Sequence, residues 1–294
     1  MQDVRTKSLL HYHLIVFIFG FSSIFGALCS LDAIPLVIYR MFLASLGLAV
    51  YFGLFNLSYF ILERSLWSKV VFGGVIIGLH WVTFFYAIKN AGVSLTLSMM
   101  ATGAFITAIL EPLINKRKVL AYEILFGAII SLGVALIFQA EFEHLYGIGI
   151  ALISAFLSSV FTILNTQMVK EGRAITISFY ELLVGTIVGI AFVFLSGQYA
   201  TTDFELQQWD ILWILMIAWV CTSYAFNISI KVMQHLSPFT VMLIINLEPV
   251  YGILLSLAIL GEEELMSIRF YIGFFIVLST ILLNGIYKRK KQTV

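Results

Sequence analysis

Charge is what this 294-residue sequence has least of. Lys and Arg number 17 and Asp and Glu 16, together 11% of the chain, where an ordinary globular domain carries roughly a quarter. A water-facing surface cannot be built from so few ionic groups, and a separate soluble catalytic domain is excluded. The net charge of +1 provides no field to gather nucleic acid or other polyanions. Cysteine is nearly absent: Cys29 and Cys221 lie far apart in apolar surroundings, with neither a disulfide framework nor a metal-ligand spacing. The only aspartates are Asp3, Asp32, Asp203 and Asp210, outside or at the edges of the apolar runs, which excludes an intramembrane aspartyl dyad. No Walker-type phosphate loop, H-E-x-x-H or G-x-S-x-G occurs, so ATP hydrolysis and those metallo- or serine-hydrolase designs are not expected within the chain. Neither a cofactor, a metal nor an enzymatic activity is expected.

What the sequence has is hydrophobicity, 61% of residues with a mean hydropathy of +1.02. A helix that crosses a bilayer takes about 20 apolar residues. Apolar runs separated by charge clusters give ten candidate spans, at 11–30, 34–57, 69–89, 94–114, 120–139, 146–169, 174–196, 210–231, 238–260 and 268–287. The shortest gaps are Leu31–Ala33 and Asn90–Val93, where a fused or re-entrant pair is the alternative to two separate spans. The stretch from Met1 to Leu28 has basic residues before an apolar run, like a signal peptide, but lacks a small-x-small cleavage site and reads as a retained first span.

Basic residues fall mostly on one side of this arrangement: Arg5 and Lys7, Arg64 and Lys69, Lys116 to Lys118, Lys170 and Arg173, Lys231, and Lys288 to Lys291. The opposite side is acidic, with Asp32, Glu141, Glu143, Asp203, Glu205 and Glu262 to Glu264. The positive-inside rule then puts both termini in the cytoplasm, and the expected location is the inner (cytoplasmic) membrane.

The two halves, 1–139 and 140–294, show weak self-similarity at offsets of 136 to 146 residues. Ser22-Ser23-Ile24-Phe25 matches Ser158-Ser159-Val160-Phe161, Tyr39-Arg40 matches Tyr180-Glu181, Ile88-Lys89 matches Ile230-Lys231, and Gly127 matches Gly273. Five spans is an odd number, so the second half would insert upside down relative to the first. The expected fold is an all-α integral membrane protein of ten transmembrane helices in two inverted five-helix repeats, an arrangement that places a site near the midplane.

Asn246-Leu247-Glu248-Pro249-Val250-Tyr251 through Leu260-Gly261-Glu262 resembles the Leu-Glu-Pro…Leu-Gly-Glu signature of EamA-type permeases in the drug/metabolite transporter superfamily. Pro35 to Arg40 and Gly273 support the resemblance. The first half departs from it, with Thr102-Gly103-Ala104 in place of Leu247-Glu248-Pro249. The resemblance implies an inner-membrane permease, often an exporter of amino acids or related metabolites.

Ionisable groups at membrane depth are costly and are functional hypotheses by default. Glu248, beside Pro249, is a carboxyl for a substrate amine or a proton, or else a structural element of the family. Arg40 and Glu181 occupy matching positions with opposite charge and read as gate or coupling residues; alternatively Arg40 snorkels to the interface and Glu181 pairs locally. His80 and Phe84 share a helical face with Thr83 and Ala87, Trp81 lies one step round, and Tyr224 and Asn227 share another face. With Thr102, Asn165 and Asn246 they make a candidate substrate pocket, or ordinary packing and interhelical hydrogen bonds. The expected partners are a small-molecule substrate and the lipid bilayer, with no nucleic acid, in a monomer or a homodimer. Export of a metabolite such as an amino acid is the leading function. Anionic or nucleotide-linked cargo held by Lys89 or Lys231, or a non-transporting enzyme or accessory protein, are the alternatives.

Overall fold

The computed structural model of the chain describes residues 2–114, 116, 121–236 and 238–292, all-helical with no strand among them. The helices are α1 (Gln2–Leu28), α2 (Ala33–Phe55), α3 (Trp67–Met100), α4 (Gly103–Ile114), α5 (Ala121–Ala140), α6 (Leu145–Met168), α7 (Ala174–Ser196), α8 (Asp210–Leu215), α9 (Ala225–Val232), α10 (Pro238–Ile245), α11 (Glu248–Ile259) and α12 (Ile268–Gln292). Among the described residues, six helical stretches are long and apolar enough to cross a membrane: Leu10–Leu28, Ala33–Phe55, Arg64–Met100, Phe142–Met168, Ala174–Ser196 and Asp210–Val232. Shorter apolar helices include Gly103–Ile114, Glu248–Ile259 and Ile268–Thr280.

The outside of α2 shows which solvent this surface suits. Its inner stripe, Leu36, Arg40, Met41, Ala44, Leu48 and Phe52, is buried. Its outer stripe, Phe42, Leu46, Val50 and Leu54, repeats every four residues and is equally apolar, yet it is 47%, 47%, 54% and 74% exposed. A helix apolar on both faces, one of them open, is built for lipid. The protein is a multi-pass membrane protein.

Proline marks helix starts. Pro35, Pro238 and Pro249 all sit in first turns, where the missing N–H has no intrahelical partner to lose. Only Pro112 lies inside a helix.

The short gap at Asn90–Val93 does not open into a loop. α3 runs through it with a single non-helical residue, Gly92, at φ 80 and ψ 167, a conformation nearly confined to glycine. The helix then starts afresh, and the Glu264 carboxylate caps it from across the molecule. Val93 N–H donates to Oε1 at 2.9 Å and Ser94 N–H to Oε2 at 2.8 Å. The exposed N–H groups of a new helix want such an anion. Glu264, placed by the sequence among outer-loop acids, is buried for this reason.

A second irregularity lies between α8 and α9, where Met216–Tyr224 winds as a π-helix. Thr222 and Ser223 donate their hydroxyls to the carbonyls of Ile217 and Ala218, five residues back. This wider turn packs on α2, with Ser223 also near the Ala44 carbonyl at 3.1 Å.

The glycines of α3 and α7 are spent on each other. A Cβ on Gly74 would fall 2.7 Å from the Glu181 carbonyl, and one on Gly185 would meet Met41 and the Gly74 carbonyl. Gly189 abuts Ile38. The Gly185–Gly189 spacing therefore packs against α2 and α3 of the same chain. Likewise Gly133 of α5 and Gly273 of α12 each stand where a Cβ would strike the other's carbonyl, at 2.9 and 2.7 Å.

Two sets of end contacts tie the helices. At one end Lys69 pairs with Glu171 at 2.7 Å, Arg173 donates to Ser58, and the Thr176 and Tyr180 hydroxyls donate to the carbonyls of Tyr59 and Phe60. At the other, Asp210 accepts the Ser30 N–H at 2.7 Å and its hydroxyl at 2.5 Å, Lys89 donates to the Cys29 carbonyl, and Tyr39 donates to the Phe204 carbonyl.

Candidate functional site: a charged cavity inside the bundle

The cavity forms where α1, α2, α3, α6, α9 and the α10–α11 junction converge. It offers about 80 Å³ of room for the centres of water-sized spheres, several times the roughly 10–15 Å³ that one water needs. Its walls are aromatic, with Phe19, Trp81, Phe84, Phe161 and Phe226, and methionine, with Met100, Met233 and Met242. Two ionisable groups of opposite sign face into it, Arg40 and Glu248, together with His80 and the hydroxyl residues Tyr12, Ser22, Ser158 and Thr162.

Arg40 is 3% exposed, so it does not snorkel to the interface. Two things hold it. The guanidinium carbon lies 3.7 Å from the centroid of the Trp81 ring and 5.5 Å from that of Phe85, a cation–π geometry that strengthens away from water. Its Nε donates to Thr222 Oγ1 at 2.8 Å, and that hydroxyl is positioned by the π-helical turn. With Nε and the ring face engaged, the terminal nitrogens remain for a ligand.

Glu248 comes from the interruption between α10 and α11. Regular α-helical hydrogen bonding is interrupted at Asn246–Leu247, where Leu247 N–H donates to the Ile244 carbonyl three residues back, and resumes at Glu248, with Pro249 next and also lining the cavity. The break brings the carboxyl to the cavity that Arg40 also lines. The two side chains line the same cavity without forming an ion pair. Tyr12 lines the same cavity as Glu248.

His80 is anchored to α6: its Nδ1 is 2.8 Å from Ser154 Oγ and 3.0 Å from the Ser154 carbonyl, and Ser154 Oγ donates to the His80 carbonyl at 2.9 Å. It is a wall-building residue. Tyr12 Oη and Ser22 Oγ are buried with no hydrogen-bond partner in the protein. Buried hydroxyls are rarely left unpaired, so two orphan hydroxyls beside Arg40 and Glu248 mark the cavity as a place for polar groups from outside the chain.

Of the sequence-selected residues, the structure brings Arg40, His80, Trp81, Phe84 and Glu248 to this cavity. It places the others elsewhere. Thr102 turns its hydroxyl to the Met99 carbonyl, 2.7 Å away, at the break between α3 and α4. Tyr224, 44% exposed, meets His11 Nε2 at 3.1 Å on the outside; the π-helix shifts its register away from the interior. Asn227 is not among the lining residues, and its Oδ1 has no partner. Asn246 is buried at the α10–α11 break with neither amide atom paired. Asn165 donates to Glu181 Oε1 at 2.9 Å, and this buried pair lies against Gly73, apart from Arg40. Lys89 is engaged by Cys29 and Lys231 is exposed; neither lines the cavity.

Sequence reasoning missed Tyr12 as a site residue and met Ser22 only as part of a repeat. Tyr12, Phe19 and Ser22 are spaced by seven and three, one face of a helix, which is the signal that was there to be read.

The model of the EamA-like transporter family matches residues 145–286. No curated protein matches the chain. Among solved structures, a crystal structure described only as that of a protein aligns over 98% of this chain and 98% of its own, with a TM-score of 0.67 at 11% identity. At that identity the likeness is one of fold. Residues 145–286, just under half of the chain, are thus similar to the EamA-like transporter family.

Proposed function

We propose that this membrane transporter carries a small organic metabolite bearing both an amine and an anionic group, such as an amino acid, outward by alternating access between two inverted five-helix repeats. The observation that carries the reading is the pairing of Arg40 and Glu248 across one aromatic-walled cavity. A carboxylate suits the open guanidinium edge, which donates in a planar fork, and an amine suits Glu248. Trp81, Phe84, Phe161 and Phe226 supply apolar walls for the rest of the cargo. Cargo whose charge is wholly negative would leave Glu248 facing a like charge, and Lys89 and Lys231 lie away from the cavity.

Ten spans are supported by the helix breaks. Gly92 divides α3 into two apolar stretches, of which the second continues into α4, and α10 with α11 makes another broken span. In that count the contacts among Ser58, Lys69, Glu171 and Arg173 all fall on the basic side, and those among Cys29, Ser30, Lys89 and Asp210 all fall on the acidic side. The basic side is the cytoplasmic one by the positive-inside rule, in the inner membrane, with both termini there. Packing of Gly185 and Gly189 inside the chain favours the monomer over the homodimer.

Thermal stabilisation of the purified protein by amino acids, nucleosides and phosphorylated metabolites tests this. Stabilisation by zwitterions alone, lost in Glu248→Gln, is the expected pattern. Stabilisation by phosphorylated compounds but not by amino acids overturns it.

A further inference from the structure

The central cavity has a neighbour at one end. A second cavity, about 340 Å³ on the same measure, opens among the ends of α4, α6 and α9 and the start of α10, and includes Glu111, Thr166, Lys170, Gln234 and His235 in its lining. Met233 lines both cavities. It is 3% exposed and stands one residue past the end of α9, in a turn closed by its own N–H to the Ile230 carbonyl at 3.1 Å. The opposite end differs. The pocket there, lined by Ser30, Trp209, Asp210 and Trp213 among others, shares no described residue with the central cavity. Two ties, Asp210 with Ser30 and Lys89 with the Cys29 carbonyl, cross that end.

We infer that Met233 is the gate between the central cavity and the face that carries Lys69, Lys170 and Arg173, and that the structure is the state closed at the opposite face. A methionine suits this role. Its unbranched side chain has three rotatable bonds and no polar atom to anchor it firmly, so it can leave a partition without breaking a strong bond. The residue sits in a turn between helices, where a rotamer change does not require a helix to move. Beyond it the second cavity presents both signs of charge, Glu111 and Lys170, to a molecule that would then meet Arg40 and Glu248. The inference rests on the transporter reading for its purpose, but its test reads solvent access alone.

In oriented membrane vesicles, with Cys29→Ala and Cys221→Ala removing the native thiols, a single reporter Ser158→Cys is placed in the central cavity and a membrane-impermeant sulfonated maleimide is added to one face at a time. Labelling is expected from the Lys170 face. Met233→Trp should slow it by about tenfold or more and Met233→Leu by less than about twofold, a difference of roughly 1 kcal/mol in the barrier. Thr162→Cys serves as a second reporter on the same wall and should respond alike. Labelling from the opposite face, an unchanged rate in Met233→Trp, or no labelling from either face even with Met233→Ala overturns the assignment, whether or not any substrate is ever transported.

Discussion

Arg40 carries a charge into a setting where charge is expensive, and the compensation is local: one indole face, one hydroxyl and a carboxyl across the cavity. Lysine keeps the charge but has neither a flat face for Trp81 nor a donor held at the position of Nε. Arg40→Lys is therefore expected to lower substrate exchange by about tenfold or more while the helical circular dichroism stays unchanged. Thr222→Val should give a weaker version of the same defect, since it removes the Nε acceptor and leaves the ring contact. At this scale the sequence was half legible. An arginine, a glutamate and a tryptophan in apolar runs announce themselves by their cost. Tyr12 and Ser22 did not, because a tyrosine near a membrane end and a serine among phenylalanines are ordinary until something shows which way they point. The Asn165–Glu181 hydrogen bond was illegible as well: it joins two different helices, and periodicity says nothing about which helices become neighbours.

Breaks in helices, rather than helices, place the chemistry. Glu248 is aimed by the α10–α11 interruption, Arg40 is held by the π-helical turn, and the start of the second stretch of α3 is fixed by Gly92 and Glu264. Gly92→Ala forces a side chain into φ 80 and is expected to cost about 1–3 kcal/mol, measured as a lower unfolding temperature in detergent. Glu264→Ala removes the cap on Val93 and Ser94 and should cost about 0.5–2 kcal/mol, with Glu264→Gln intermediate. Combined with Gly92→Ala, its effect should fall short of additive, because the two residues serve the same turn. Helix limits were readable from sequence where charge or proline bounds them: 174–196 was expected and α7 spans Ala174–Ser196. The π-helix was not readable, since its cause is a hydroxyl pattern that an α-helix tolerates equally well. The continuation of α3 past Asn90 was foreseen as one of two options for that short gap, a fused or a re-entrant pair, but Gly92 as its joint was not.

For the whole molecule, the two rings of end contacts define which loops share a face. Single cysteines at half-buried Ser58 and exposed Arg173 should react with an impermeant thiol reagent from one side of the membrane. A cysteine at exposed Gly197 should react only from the other. Reaction of Ser58→Cys and Gly197→Cys from the same side would dismantle the ten-span arrangement. The charge asymmetry of the sequence is what predicts sidedness. The meeting of six elements around one cavity was not legible there, because apolar helices in lipid look alike until their packing is known.

The central claim, that Arg40 and Glu248 grip the two ends of one cargo molecule, is tested most directly by counterflow exchange of a labelled amino acid in proteoliposomes. Wild-type protein, Arg40→Gln and Glu248→Gln should be compared at equal, verified insertion. Saturable exchange by the wild type, reduced by about tenfold or more in each variant and by no greater factor in the double variant than in the more impaired single one, is the predicted result. Exchange that proceeds at the wild-type rate in both single variants contradicts it.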